Sequence, residues 1–68
     1  MIQSGSFWQC VDEDYMEHGK YCCVVGASDH PDFNGDGDIE IKTTSGRLYM
    51  KVRRFVLRYV FVKGPLQK

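Results

Sequence analysis

The chain lacks most of what would place it in a membrane, a secretory route or a disulfide scaffold. Across its 68 residues no apolar run approaches the roughly 18 residues that a membrane span requires. The N-terminus shows no basic stretch leading into an apolar one, so no secretory leader is expected. The expected setting is cytoplasmic, with no membrane partner. Cysteine is scarce and odd in number, with Cys10, Cys22 and Cys23 and no CxxC. That pattern argues against a disulfide framework. Free cysteine behaves as a small hydrophobe, so all three are expected in or near the core. Prolines number two, Pro31 and Pro65. No long segment carries helical periodicity, and there are no repeats, linkers or low-complexity tracts. Residues 1–68 are expected to form one domain, with its core at about 6–62 and a tail at 63–68.

What is present is apolar content of 43% and charged content of 26%, with a formal net charge of zero. The neutrality hides a segregation. All nine acidic residues fall between Asp12 and Glu40, and eight of the nine basic ones lie from Lys42 onward. The two halves are expected to neutralise each other across strands, at modest energy per exposed pair.

Five stretches favour strand. Ser6–Val11 (SFWQCV) is aromatic and β-favouring, and Lys20–Ala27 (KYCCVVGA) is apolar on both faces. In Ile39–Thr43, Ile39 and Ile41 alternate onto one face. Ser45 and Gly46 turn the chain into Arg47–Val52, where Leu48, Met50 and Val52 face inward. After a break at Arg53–Phe55, Val56–Lys63 (VLRYVFVK) reads as strand rather than helix, because β-branched and aromatic residues suit a pleated surface. That reading puts Phe55, Leu57, Tyr59 and Phe61 on one face, and Val56, Val60 and Val62 on the other. Short strands with close turns predict an all-β barrel or sandwich.

The order WQCVDED, HGKYCCV, GDGDIEIKTTSGRLY and RRFVL resembles the small Src-homology-3-like barrels encoded by tailed bacteriophages. The resemblance runs over about residues 6–62. It implies a five-stranded Src-homology-3-like barrel with a short helical turn, marked by Arg54 and Phe55, before the last strand. In such a barrel the aromatic plugs one end and the arginine reaches back to acidic loops.

The stretch HPDFNGDGDIEI carries oxygen ligands at alternate positions, as EF-hand loops do. Asp32, Asn34 and Asp36 fit the first, third and fifth positions, but the twelfth is Thr43, which cannot supply a bidentate carboxylate. A hairpin turn, with glycines at positions suited to φ > 0, is the preferred reading. A weak calcium site at Asp32, Asn34, Asp36 and Glu40 is retained as the third functional reading. His18, His30 and the cysteines lack zinc-finger spacing, and a chain this short has little room for a water-excluding catalytic cleft. No enzyme activity and no cofactor are expected.

Two further readings concern partners. Arg47, Lys51, Arg53, Arg54, Arg58 and Lys63 alternate with aromatics, as in single-strand or RNA binders, although such domains usually carry a pI above about 9. The leading reading is a non-enzymatic protein-binding module. The resemblance implies a phage accessory protein that binds a host or phage protein in the bacterial cytoplasm and modulates it. Its contact surface is expected to combine Trp8, Tyr49, Arg53, Arg54, Arg58 and Tyr59, because Trp, Tyr and Arg most often carry binding energy. The open edge of the last strand also makes a homodimer an expected possibility.

Overall fold

A computed structural model describes residues 2–27 and 37–66. Among the described residues five strands form one antiparallel sheet: β1 (Phe7–Cys10), β2 (Tyr21–Ala27), β3 (Asp38–Thr43), β4 (Gly46–Lys51) and β5 (Tyr59–Lys63). One helix, α1 (Val52–Arg58), lies between β4 and β5. The strands run in the order β4-β3-β2-β1-β5, so β4 and β5 are the end strands.

Alternation decides which side of the sheet is dry. On β3, Ile39, Ile41 and Thr43 are buried while Asp38 and Lys42 are exposed. Their cross-strand partners follow the same parity. Val24 sits opposite Ile41, Leu48 opposite Ile41 on the other side, and Met50 opposite Ile39. On β1 and β2 the inner residues are Trp8, Cys10, Cys22 and Val24, with Trp8 opposite Cys22. Cys10 and Cys22 are buried, Cys23 is half-buried, and all three are free thiols.

The β3–β4 hairpin turns where the sequence places it. Thr43 Oγ1 accepts from the Ser45 amide at 3.0 Å and donates to the Gly46 carbonyl at 3.0 Å, and Gly46 adopts φ +118°. The segment between β1 and β2 is a chain of turns. Asp12 Oδ1 accepts from the Asp14 amide at 3.0 Å, so this aspartate bonds its own loop. Gly19 closes the loop at φ +82°, its amide donating to the Cys10 carbonyl at 2.9 Å. A side chain there would be held in a backbone region costly for L-residues.

The stretch after β4 departs from expectation. Val56–Arg58 is helical, and β5 begins only at Tyr59. Val52, Phe55, Val56 and Tyr59 follow the i, i+3, i+4, i+7 spacing of one helix face, and all four pack into or against the core. Burying that face outweighs the β preference of the individual residues, because short helices draw their stability from packing. Phe55 and Leu57 therefore do not share a face: Phe55 is 0% exposed and Leu57 is 80% exposed.

Phe55 is the hub of the interior. The Trp8 ring meets it edge-on at 4.9 Å, and the Tyr59 ring stacks on it at 4.9 Å. Trp8 keeps its polar end satisfied, with Nε1 donating to Ser6 Oγ at 2.9 Å, and Ser6 in turn donates to the Gln3 carbonyl at 2.6 Å.

Candidate interaction surface

The six side chains expected to form one contact surface occupy different surroundings. Tyr59 is 2% exposed and belongs to the core. Its hydroxyl has no hydrogen-bond partner among the described residues, and burial holds its ionisation well above the usual tyrosine range. Trp8 is half-buried between Phe55 and Phe61. Arg58 is half-buried too, with its guanidinium 4.1 Å over the Tyr15 ring and Nε 3.6 Å from Asp12. Among the described residues it is Arg58 that reaches back to an acidic loop. Tyr49 is exposed on β4, its hydroxyl donating to Glu40 at 3.0 Å. Arg53 and Arg54 are exposed on α1. With Leu57 they occupy the helix side opposite the buried one, a consequence of the 3.6-residue turn. Trp8 and Tyr59 meet around Phe55, whereas Tyr49 and the α1 arginines do not join them there.

Three cations of the basic half pair with carboxylates of the acidic half. Arg47 Nη1 lies 2.8 Å from Glu40, Lys51 Nζ 3.0 Å from Asp38, and Arg58 bonds Asp12 as above. Lys63 Nζ sits 5.0 Å over the Phe7 ring. Three of the six cations proposed to grip a nucleic acid therefore already hold carboxylates.

Asp32, Asn34, Asp36 and His30 lie outside the described residues. Glu40, the remaining calcium candidate, accepts from both Arg47 and Tyr49 at Oε2. Among the described residues no cluster of three or more His, Cys, Asp or Glu side chains could hold a metal ion. Glu17 is buried, with Oε2 3.4 Å from Ser45 Oγ and 3.5 Å from Lys20 Nζ. It ties the β1–β2 turns to the β3–β4 hairpin.

The outer face of the sheet carries exposed apolar side chains beside polar ones. Tyr21 is 57% exposed, Val60 lies in the same outer row with Gln9 between them, and Val25 is exposed at the bulge of β2. An open groove of about 270 Å3 is lined by Phe7, Tyr21, Cys22, Cys23, Lys42, Thr43 and Thr44. The sequence signals this face through the apolar residues on both sides of β2. The contact set drawn from the sequence omits it because, Trp8 apart, its members come from the basic half of the chain.

Burial makes the thiols distinguishable. Cys23 is half-buried on the outer face, whereas Cys10 and Cys22 are buried, and burial, reinforced by neighbouring Cys23, pushes the Cys22 thiol up to about 12. The thiolate is the reactive form. Alkylation of the native protein is expected to add a single label, at Cys23, with Cys10 and Cys22 reacting only in denaturant. Peptide mass mapping reads this directly, and comparable native labelling of all three would contradict the assigned faces.

No helix of the described residues is long and apolar enough to cross a membrane. No protein-family model, no curated protein and no solved structure matches the chain.

Proposed function

We propose that the sheet and α1 together form the Src-homology-3-like barrel that the sequence resembles. The chain is a non-enzymatic protein-binding module, a phage accessory protein that binds and modulates a host factor in the bacterial cytoplasm. The phage and host assignment rests on resemblance of sequence and on fold-level analogy. The binding role rests on one observation above others: an open apolar groove on the outer sheet face with the exposed Tyr21 on its wall. Apolar surface left exposed around a groove on a small domain marks an interaction site. Tyrosine is among the side chains that most often anchor one. The ion pairs of Arg47, Lys51 and Arg58 favour this reading over nucleic-acid binding.

The test is affinity capture from nuclease-treated bacterial lysate with three proteins: the native chain, Tyr21→Glu, and Arg53→Ala/Arg54→Ala. The expected result is a protein band in proportion to the bait, retained after nuclease and lost with Tyr21→Glu. Loss only in the arginine pair would move the contact surface to α1. Recovery that disappears with nuclease would replace the protein partner with a nucleic acid.

A further inference from the structure

End strands of a sheet offer unpaired backbone groups to any passing strand, and proteins usually blunt them with charge, proline or short length. The two ends of this sheet differ in that respect. β4 carries Arg47 and Lys51, both on its exposed outer side. β5 reads Tyr-Val-Phe-Val-Lys, with its charge only at the last position and Pro65 beyond the strand. Among the described residues it pairs on one side only, with β1. Val60, Phe61 and Val62 are all exposed, although successive strand residues face opposite ways. Both sides of this edge are therefore apolar.

We propose that β5 pairs with β5 of a second copy of this chain, antiparallel, about a two-fold axis at Phe61. The strand is complementary to itself in that register. Phe61 meets Phe61 of the copy, Val60 meets Val62, and the neutral Tyr59 lies opposite Lys63. No like charges face each other across the join, the arrangement that cross-strand pairing requires. An interface of this kind is isologous and closes at two chains. The formal net charge of zero adds no long-range repulsion between copies. Pairing joins the two sheets into one and places the two outer-face grooves on a common structure. The proposal stands independently of what binds those grooves.

Sedimentation equilibrium of the full chain over about 5 to 500 µM tests it, since dimer population follows mass action. The expected result is a monomer–dimer equilibrium weakened at least about tenfold by Val62→Lys and by Val60→Lys. Both sites are exposed in the monomer, and circular dichroism of each variant verifies the fold. As a second measurement, Phe61→Cys in a Cys23→Ser background should cross-link into dimers on oxidation, while Tyr49→Cys in the same background should not. A chain that stays monomeric throughout, that grows past the dimer, or whose dimer ignores both lysine variants would overturn the proposal. A β5 edge that instead accepts a strand from another protein would show as that first outcome.

Discussion

Phe55→Ala is expected to unfold the domain at ordinary temperature. The ring is fully buried and contacts both Trp8 and Tyr59 face or edge, so its removal leaves a void ringed by two large aromatics. Truncating a buried phenylalanine costs about 3–5 kcal/mol. A single core in a chain of this size rarely supplies more than about 3–5 kcal/mol in total. The informative control is two residues away. Leu57→Ala should change stability by no more than about 0.5 kcal/mol, the usual range for an exposed site. On a strand the two residues would share a face and behave alike. On α1 they must differ, and urea unfolding followed by circular dichroism distinguishes the cases. Equal effects would return the segment to a strand.

The second large effect is alkaline. Burial raises the ionisation of both Cys22, to about 12, and Tyr59. In the unfolded chain these groups ionise near 9 and 10. Above those values the unfolded state sheds protons that the native state retains, so unfolding becomes more favourable as pH rises. The stability tied to Cys22 is fully present below about pH 9 and is lost as pH climbs toward 12. Its size is on the order of 4 kcal/mol, comparable to the whole stability expected of the domain. Cooperative unfolding within that window is the predicted result, read by far-ultraviolet circular dichroism. Tyr59→Phe removes one of the two titrations and also a hydroxyl without a described partner. It should move the alkaline midpoint upward and leave stability at neutral pH unchanged or improved, since an unsatisfied buried hydroxyl carries a desolvation cost. A structure intact at pH 12, or a midpoint lowered by Tyr59→Phe, would contradict the assigned burial.

The parts of the fold that the sequence disclosed are those governed by local rules. The strict alternation of Ile39 and Ile41 placed the dry face of β3, and Ser45-Gly46 placed the hairpin. The segregation of charge along the chain pointed to neutralisation between its halves, which the Glu40–Arg47, Asp38–Lys51 and Asp12–Arg58 pairs supply in part. What local rules did not disclose is the exchange of helix for strand between Val52 and Tyr59. Residue by residue that stretch prefers a pleated surface, and only the helical spacing of Val52, Phe55, Val56 and Tyr59 marks the face that packs inward. The contact surface suffered from the same cause. Tyr59 has the chemistry of a binding residue but lies in the interior because α1 delivers it there. Tyr21 is less conspicuous in sequence, yet the parity of β2 brings it out beside the groove.

The central claim is that this surface binds protein through an apolar anchor rather than nucleic acid through charge. Titration of the purified chain with its captured partner at about 50 and 200 mM salt separates the two, because six to ten phosphate contacts would lose about 10³–10⁵ in affinity over that interval. The account predicts an affinity that changes by less than about tenfold with salt and falls by more than about tenfold in Tyr21→Glu. A loss of a thousandfold with salt, with Tyr21→Glu binding as the native chain does, would contradict it.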